Sequence, residues 1–307
     1  MIRRPMKPAT LFEGPLEEIE GVNMDNGIII PWPVYGTPKF DGIRCCIQEG
    51  KALTYRLKRI PNDHIRRQLE TYCANGMDGE LIVQHTVQDF FNNTQSGVMS
   101  KDGKPDFKFY VFDQMPQGRE KDIGYFKRMR SMHHGNPDGG FIEYVEPVKI
   151  RNMRELRQFE TGCLKKNYEG FILRTGDSPY KYGRSTLKQF WMVKYKRFID
   201  GEARVTGFNE LLANKNEKKV DKYTGLSSRT SHKKNMVPMN MLGSLNAIDV
   251  KTGVEFRVAG FTLKQRKEIW RHRKKYMERL FTYRHQLHGA KDKPRFDTFK
   301  GWRPENE

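Results

Sequence analysis

The feature that most constrains the fold of this chain is a succession of short β-rich runs across its first two thirds. They are rich in Val, Ile, Phe and Tyr, and Gly, Asp or Pro interrupts them, which is the pattern of short strands. The runs are GIRCCIQ, KALTYR, GELIVQ, FKFYVFDQM, FIEYVEPVKI, GFILR and FWMVKYKRF. Helical patterns lie between them, at 62–75, 121–132 and 152–166. The mixture predicts an α+β core with mostly antiparallel sheets.

The pattern changes near residue 198. GEARVTGFN, SLNAIDV and VEFRVAGF predict further strands, and a polar, lysine-rich stretch at 214–236 separates the first two. The segment 263–287 has apolar residues at intervals close to helical turns, which predicts one basic helix. A few strands and a helix fit a small barrel such as an OB-fold. The sequence therefore predicts two domains, 1–198 and 199–307.

The chain carries a formal net charge of +19. A surplus of that size favours a polyanionic partner, because neutralising phosphates releases condensed counterions. An anionic membrane is the rival partner, but no stretch approaches the ~20 apolar residues needed to span one. The first residues also lack the apolar segment of a secretory signal. We therefore expect a monomeric cytoplasmic protein that binds nucleic acid and no membrane.

The cysteines stand at positions 45, 46, 73 and 163, and none forms a CxxC pair. Cys45 and Cys46 are adjacent, so they alternate sides if the segment is a strand. This spacing predicts free thiols in a reducing compartment, with neither a disulfide framework nor a zinc site. The histidines form no HExxH pattern, and no GxxxxGK[ST] loop is present, which argues against a zinc protease and a P-loop NTPase.

One short stretch, TPKFDGIR at 37–44, brings Lys39, Asp41, Gly42 and Arg44 together directly after an apolar run. Burial and neighbouring cations free the amine of a lysine for nucleophilic attack, and a nearby carboxylate orients it. Gly42 lets the chain turn sharply and admit a ligand close to the backbone. Taken alone, the stretch fits an ordinary charged turn better than a catalytic site.

Further motifs follow this stretch in order: LTYRLKRIPN with Arg56, MDGELIV with Glu80, FYVFDQM with Phe112, YEGFILR with Glu169, and WMVKYKR with Lys194 and Lys196. Together with KFDGIR, the series resembles the motifs of the covalent nucleotidyltransferases, which comprise ATP-dependent DNA ligases, RNA ligases and mRNA capping enzymes. HTVQDFFNNTQSGVMS and KPRFDTFKGWRPE resemble stretches of the phage-type DNA ligases. The resemblance covers nearly the whole chain except 211–236. It implies a nucleotidyltransferase domain with ATP-grasp-like antiparallel sheets, followed by an OB-fold.

The resemblance implies that Lys39 becomes linked to AMP, with Asp41 as its orienting acid. Lys194 and Lys196 lie two apart on a predicted strand and so on one face, where they would contact phosphate. Arg44 and Arg56 would bind phosphate or sugar oxygens, which suits a planar guanidinium. From the second domain, the tail residues Arg295 and Lys300 would orient the β- and γ-phosphates of ATP.

For the nucleoside, the resemblance implies that the ring of Phe112 stacks on adenine, with Tyr110 as the fallback. Thr37 would touch the adenine edge or only shape its strand. Glu80 would hold the ribose hydroxyl or help to position a metal, and with Glu169 it would bind Mg²⁺ or Mn²⁺. Without the resemblance, each of these residues fits an ordinary core or solvated strand position.

The implied substrate is a nick in duplex DNA, sealed during replication or repair in the cytoplasm of a host cell if the chain is phage-encoded. Basic side chains of the polar stretch and of the predicted helix would contact phosphates without reading sequence. They are Lys218, Lys219, Lys233, Lys234, Lys264, Arg266, Arg271 and Lys274.

Two alternatives stay open at this point. An RNA ligase or a capping enzyme shares the lysine chemistry, although the tail motif favours a DNA ligase. A non-catalytic, basic DNA-binding protein explains the charge but leaves the ordered motifs to chance. An NAD-dependent ligase is not expected, because it needs an additional N-terminal domain, for which this chain leaves no room.

Overall fold

The structure, a computed structural model, describes residues 2–12, 16, 29–83, 90–116, 123–133, 140–220, 227–286 and 293–304. The chain divides into two compact units, Met1–Arg197 and Phe198–Glu307. Parts of the predicted helix at 121–132, of the motif at 85–100 and of the polar stretch at 214–236 lie outside the described residues.

The described strands of the first unit are β1 (Ala9–Thr10), β2 (Val34–Lys39), β3 (Ile43–Gln48), β4 (Lys51–Thr54), β5 (Met77–Val83), β6 (Phe107–Gln114), β7 (Ile142–Tyr144), β8 (Val148–Ile150), β9 (Gly170–Arg174) and β10 (Val193–Lys196). They form two five-stranded sheets, in the orders β1-β10-β9-β2-β8 and β4-β3-β5-β6-β7. Among these described strands, only the β1–β10 and β6–β7 pairs are parallel.

The described helices of the first unit are α1 (Asp63–Tyr72), α2 (Phe90–Met99), α3 (Tyr125–His133) and α4 (Met153–Lys165). Asn62 and Asn152 cap α1 and α4 by accepting from the backbone N–H groups of Ile65 and Glu155. Sheets with helices in this proportion confirm the predicted α+β class. None of the helices in the described parts of the chain is long and apolar enough to cross a membrane.

Each sheet buries one face against helices. Helices α1 and α3 pack on the sheet that contains β3, and α4 packs on the sheet that contains β9. A further buried cluster joins Cys46 of β3 to Ile172 of β9, so the remaining faces of the two sheets meet. Cys45 lies in the first core and Cys46 in the cluster between the sheets, as their alternation predicts.

The described elements of the second unit are β11 (Ile199–Asn214), β12 (Lys218–Val220), β13 (Ser227–Arg229), β14 (Met236–Asp249), β15 (Glu255–Val258), α5 (Leu263–Arg271), α6 (Arg273–Tyr276), β16 (Leu280–Gln286) and β17 (Arg295–Trp302). Five of the strands form an antiparallel sheet in the order β15-β14-β11-β16-β17. A bridge between Ala259 and Thr298, with the Phe299 N–H donating to the Ala259 carbonyl at 2.8 Å, joins the two edges and closes the sheet into a barrel.

The single helix predicted for 263–287 is wrong in its second half. Helix α5 ends at Arg271, only the short α6 follows, and β16 begins at Leu280. Phe281 and Tyr283 are buried on one face of β16, between β11 and β17. Pairing with two strands that are distant in sequence therefore prevails over the helical spacing of the apolar residues.

Candidate active site

Lys39 is the last residue of β2 and lies in register with Gly170 of β9, which in turn lies opposite Lys196 of β10. Because Gly170 has no side chain, the two lysines flank an open position on the same face of the sheet. Val193 and Tyr195 point the other way, into the core beneath α4. Strand alternation therefore brings Lys39 and Lys196 together across one glycine.

Glu169, immediately before β9, links these two lysines. Its carboxylate accepts from the ammonium groups of both Lys39 and Lys196, and its side chain is only 4% exposed. Its backbone N–H donates to the Lys39 carbonyl at 3.2 Å. One buried carboxylate thus faces two ammonium groups, an arrangement that favours a further anion such as a phosphate.

Glycine is required at position 170 by two independent features. Its φ of 153° is one that residues with a side chain rarely adopt. A Cβ placed there would lie 2.2 Å from the carbonyl oxygen of Tyr195. The glycine therefore lets the three strands approach closely at the point where the lysines meet.

Arg44, on β3, is held from several sides. Its Nε and one terminal nitrogen donate to the two Asp78 oxygens at 2.6 and 2.7 Å, and it also donates to the Met6 carbonyl at 3.3 Å. The Tyr180 hydroxyl donates to Asp78 at 2.5 Å and accepts from the Met6 N–H at 3.0 Å. The guanidinium is therefore fixed before any ligand binds.

The Arg44 guanidinium lies over the ring of Phe112, with its central carbon 4.6 Å from the ring centroid. Phe112 is 8% exposed. Tyr110, two residues earlier on β6, is stacked on Phe40 at 4.5 Å. Each aromatic ring predicted for the adenine site therefore already has a partner on one face.

Glu80 of β5 lies in register with Arg44 on one side and Tyr110 on the other. Burial raises the pKa of Glu80 to about 7, and its neighbour Asp41 adds to the rise. Three groups lower this pKa in part: the cations Lys39 and Arg44, and the backbone N–H of Gly42, which donates to the carboxylate. Glu80 is thus a carboxylate whose charge state changes near neutral pH.

Glu80 and Glu169 both lie close to Lys39. The charge of Lys39 lowers the pKa of Glu80, and Lys39 forms an ion pair with Glu169. Within the described part of the chain, no group of three or more His, Cys, Asp or Glu side chains could hold a metal by itself. Mg²⁺ commonly binds one or two carboxylates together with water and substrate phosphates. The two glutamates therefore fit a metal that arrives with a phosphate ligand.

Other predicted residues lie around this centre. Thr37 is buried on β2 in register with Ile172, and Lys194 faces the same residue from β10. Asp41 is half-buried between β2 and β3, and Arg56 is exposed on the turn after β4. The sheets thus bring together the predicted residues of the first unit, with Arg56 at the surface.

The tail residues lie on β17, in the second unit. The Lys300 ammonium group donates to Asp200 at 2.7 Å, and both side chains are about half exposed. The Arg295 guanidinium lies 4.7 Å from the ring centroid of Phe296. The exposed pair of Lys300 and Asp200 can open at small energetic cost, because such pairs contribute about 0–1 kcal/mol.

Among the residues predicted to bind DNA, Arg266 differs from the others because its guanidinium is already hydrogen-bonded within the second unit. It donates to the backbone carbonyls of Phe261, Leu242 and Gly243 at 2.6–3.2 Å, which ties α5 to the barrel. The remaining basic residues are exposed on β12, on a 3₁₀ turn, on α5 and on α6. They are Lys218, Lys219, Lys233, Lys234, Lys264, Arg271 and Lys274.

Sequence reasoning gave no role to Asp78, Tyr180 or Asp113. Asp78 and Glu80 alternate in MDGELIV, which could have placed both on the face of the site. Asp113 is buried beside Arg128, at 2.9 Å, and Arg174. Burial alone would raise the pKa of Asp113, but the two arginines bring it below its ordinary value. This carboxylate therefore holds the two sheets together rather than a metal.

Comparison with known sequence families gives two matches. The family described as ATP dependent DNA ligase domain matches residues 33–196, and that described as DNA ligase OB-like domain matches residues 233–303. The second match confirms the OB-fold predicted for the C-terminal part of the chain.

Individual relatives are more distant. The DNA ligase of African swine fever virus is 26% identical over 133 residues, which make up 41% of this chain and 30% of the viral protein. The chain thus matches less than a third of the length of that relative. The structure of Chlorella virus DNA ligase-adenylate is 28% identical, with a TM-score of 0.52 and 100% of both chains covered. A structure of Lig E DNA ligases, 20% identical with a TM-score of 0.68, covers 97% of this chain and 99% of its own and supports the fold alone.

Proposed function

The chain belongs to the ATP-dependent DNA ligase family, and from that premise we propose that it seals nicks in duplex DNA through a lysyl-AMP intermediate. The observation that carries the proposal is the joining of Lys39 and Lys196 by the buried Glu169 carboxylate. In this arrangement Lys39 is the nucleophile, Glu169 orients it, and Lys196 is a second cation that can bind the phosphate under attack.

In the first step, the Lys39 ammonium group releases a proton to solvent and its Nζ attacks the α-phosphorus of ATP. A P–N bond forms, the P–O bond to pyrophosphate breaks, and the nitrogen releases a second proton to solvent. Glu169 and Asp41 orient the amine, while Lys194 and Lys196 stabilise the charge that develops on the phosphate oxygens. Splitting the condensation into displacements of this kind is the advantage of a covalent intermediate.

The nucleotide is held by groups from both sheets of the first unit. Phe112 stacks on the adenine ring, with Tyr110 as the alternative, and Thr37 borders the base. Glu80 accepts from the ribose hydroxyl, and Arg44 and Arg56 bind sugar or phosphate oxygens. The hydrogen bonds from Arg44 to Asp78 support the proposed role of Arg44 in nucleotide binding, because a donor that is already fixed loses little conformational freedom when the nucleotide binds.

Two further steps complete the reaction. An oxygen of the 5′-phosphate at the nick attacks the lysyl-linked phosphorus, a P–O bond forms and the P–N bond breaks. The Lys39 nitrogen takes a proton from solvent as it leaves, and AMP is joined to the DNA. The 3′-hydroxyl then attacks the 5′-phosphorus and releases its proton to solvent, a phosphodiester bond forms, and the P–O bond to AMP breaks so that AMP departs. Mg²⁺ or Mn²⁺, held by Glu80 and Glu169 when bound, would supply Lewis-acid shielding of the phosphate charge.

The second unit assists through charge. Arg295 and Lys300 bind the β- and γ-phosphates of ATP so that pyrophosphate leaves in line. The basic residues of β12, of the 3₁₀ turn and of α5 and α6 bind phosphates of duplex DNA. We propose that the chain acts as a monomer in the cytoplasm of its cell, in replication or repair. Light scattering of the protein alone and with nicked DNA tests the monomer.

The test of the activity is covalent labelling. The protein is incubated with α-labelled ATP or GTP and Mg²⁺ and then denatured, and ATP is expected to leave label on the chain. Lys39→Ala abolishes the label, whereas Lys149→Ala, which removes an exposed lysine from β8 of the same sheet, leaves it unchanged. A label that survives in Lys39→Ala would show that Lys39 is not the nucleophile.

The same assay separates the alternatives. Label from GTP alone would identify a capping enzyme, and absence of any label would exclude all lysine nucleotidyltransferases. The labelled protein is then offered a nicked DNA duplex and a nicked RNA duplex, and transfer of AMP to the DNA is expected. Preferential transfer to RNA ends would replace the DNA ligase by an RNA ligase.

A further inference from the structure

A small basic lobe extends from the barrel of the second unit. We define it as residues 214–220 and 227–236, which include β12 and β13. It contains six lysines and arginines and one acid, Glu217. In this described lobe only Asn216 is buried, at 3% exposure, while apolar Val220 is 58% exposed. The lobe is thus a folded segment without an apolar core.

Asn216 joins the two limbs of the basic lobe. Its Nδ2 donates to the backbone carbonyls of Thr230 and His232 at 3.0 and 2.9 Å, and its backbone N–H donates to Oδ1 of Asn214 at 3.0 Å. Thr230 and His232 belong to the limb after β13, whereas Asn214 and Asn216 belong to the limb before β12. One amide group therefore connects segments that are separated by more than a dozen positions in the sequence.

The remaining polar atoms of Asn216 are also used. Its Oδ1 accepts from Nδ2 of Asn235 at 3.1 Å, and its backbone carbonyl accepts from the Arg229 guanidinium. The Lys215 N–H donates to the Asn235 carbonyl at 2.9 Å, beside the same group. Because a buried amide that is fully hydrogen-bonded fixes direction as well as distance, Asn216 determines the shape of the lobe.

The charge of the basic lobe identifies the kind of partner. Lys218 of β12 lies directly opposite Arg229 of β13, and like charges opposite each other destabilise a strand pair. Lys219 follows on β12, and Lys233 and Lys234 stand on the 3₁₀ turn. Because a segment of this composition has little apolar surface to bury, the hydrogen bonds of Asn216 are what hold it in one shape. A polyanion relieves the repulsion, and a preformed shape lowers the cost of ordering on binding.

We propose that Asn216 is a positioning residue that holds the basic lobe in the shape that binds the phosphate backbone of duplex DNA. The proposal rests on the proposed function for the identity of the polyanion. Asn216 itself contacts no phosphate in this scheme, because it is buried and its amide is occupied. It acts through Lys218, Lys219, Lys233 and Lys234, whose relative positions it sets.

The test compares Asn216→Ala with the wild-type chain in binding to a fluorescent nicked duplex over a range of salt concentrations. About tenfold weaker binding is expected, because the side chains of the lobe must then be ordered on the DNA. The dependence of affinity on salt becomes shallower although no charge has been removed, since fewer phosphates are neutralised at once. Formation of the lysyl-AMP label and the thermal midpoint stay unchanged.

Two further variants distinguish the positioning role of Asn216 from the direct effect of lysine charge and from a nonspecific effect of losing an asparagine. The double variant K218Q/K219Q reduces the salt slope by about 0.9 for each phosphate that is no longer neutralised, with the fold of the lobe retained. The matched control Asn75→Ala removes an exposed asparagine from a turn of the first unit and leaves DNA affinity unchanged.

A rescue sharpens the test further. Val220 and Ser227 lie opposite each other on β12 and β13, so the double variant V220C/S227C can close a disulfide without removing charge. In the Asn216→Ala background the oxidised form recovers most of the affinity, and reduction abolishes the recovery. A side chain needed only for global stability gives no such redox-dependent recovery of DNA affinity.

Several outcomes would overturn the proposal. Unchanged affinity and salt slope in Asn216→Ala would show that the asparagine does not set the DNA-binding shape. Loss of the lysyl-AMP label in that variant would show an effect beyond the lobe. Tighter binding of the wild-type chain to an RNA duplex or to an acidic peptide than to the DNA duplex would contradict DNA as the partner of the lobe. A wild-type chain that forms no label contradicts the proposed function, while the DNA affinities still decide the role of Asn216.

Discussion

The Glu169 carboxylate forms an ion pair with the Lys39 ammonium group, although the two residues are 130 positions apart in the chain. The pair is possible because Lys39 ends β2 and Glu169 directly precedes β9, which lies beside it. The same carboxylate also binds Lys196 and is nearly excluded from water. The proposed nucleophile is therefore oriented by a group that also controls the charge around it.

Replacing Glu169 by glutamine keeps the shape of the side chain and removes its charge. Lys39 and Lys196 then lose the carboxylate that they share, and the proposed metal loses one of its two ligands. We expect Glu169→Gln to slow lysyl-AMP formation by about 100-fold, the size of effect found when one preorganised hydrogen-bonding group is removed from an active site. Single-turnover labelling with α-labelled ATP measures the rate.

An exposed acid provides the matched control for that variant. Glu143 pairs with Lys108 at 3.2 Å on the surface of the other sheet, with 46% of its side chain exposed. Glu143→Gln should leave the labelling rate unchanged, because surface ion pairs contribute about 0–1 kcal/mol. Equal effects of the two substitutions would mean that Glu169 has no special role at Lys39.

Glu80 makes the stability of the first unit depend on pH. Its pKa is raised to about 7, mainly by burial, so between its ordinary value and about 7 the folded state binds a proton that the unfolded state does not. Folding stability contributed by this group therefore falls as the pH rises through that window. At pH 8 the folded wild type holds a charged, partly buried Glu80, which costs free energy, and Glu80→Gln removes that cost. We expect the variant to be more stable than the wild type at pH 8 by about 1–2 kcal/mol, less than the full pKa difference would give because the side chain is partly exposed.

Urea unfolding at pH 5 and pH 8 measures this difference. The stabilisation of Glu80→Gln over the wild type is expected at pH 8 and should shrink towards pH 5, where Glu80 is protonated in the folded state. The control is again Glu143→Gln, whose difference from the wild type should not grow with pH in this way. A constant difference between wild type and Glu80→Gln at both pH values would contradict the raised pKa.

Local sequence patterns predicted the strands well where alternation is strong. The spacing of Lys194 and Lys196 correctly puts both on one face of β10, and the separation of Cys45 from Cys46 follows from the same rule. The pattern failed for β16, because its partners β11 and β17 are distant in sequence and the apolar spacing of 263–287 also suits a helix. Local spacing alone does not identify which distant strand will pair.

The support around Arg44 could not be read from the sequence for a related reason. Tyr180 and Asp78 are 102 positions apart and meet only because the two sheets face each other. The motif resemblance pointed to Arg44 and Glu80 but gave no reason to select a tyrosine after β9. Contacts between sheets depend on register and packing, which no single motif contains.

Tyr180 should therefore affect both stability and the nucleotide site. Tyr180→Phe removes the hydroxyl that donates to Asp78 and accepts from the Met6 N–H, and it leaves both groups buried without that partner. We expect a loss of about 1–3 kcal/mol in the free energy of unfolding. We also expect a higher KM for ATP in lysyl-AMP formation, because the Asp78 carboxylate that holds Arg44 becomes less well fixed.

Urea unfolding and the ATP dependence of labelling measure the two effects of Tyr180→Phe. Tyr72→Phe serves as control, since Tyr72 is 44% exposed at the end of α1. It should change neither quantity. A Tyr180→Phe variant with a lower stability but an unchanged KM would confine the tyrosine to a structural role and leave Arg44 positioned by Asp78 alone.

Gly170 is predicted to tolerate no side chain, because a Cβ would lie 2.2 Å from the Tyr195 carbonyl and the φ of 153° is unfavourable for alanine. Gly170→Ala should push β9 away from β10 and separate Lys196 from Lys39. We expect destabilisation of more than about 2 kcal/mol and strongly reduced labelling.

The matched control is Gly162→Ala in α4, where a Cβ meets no atom within 4 Å and helix propensity predicts a gain of up to about 1 kcal/mol. Urea unfolding and labelling of both variants decide the point, and a Gly170→Ala protein that is as stable and as active as Gly162→Ala would refute the close approach of the three strands at the site.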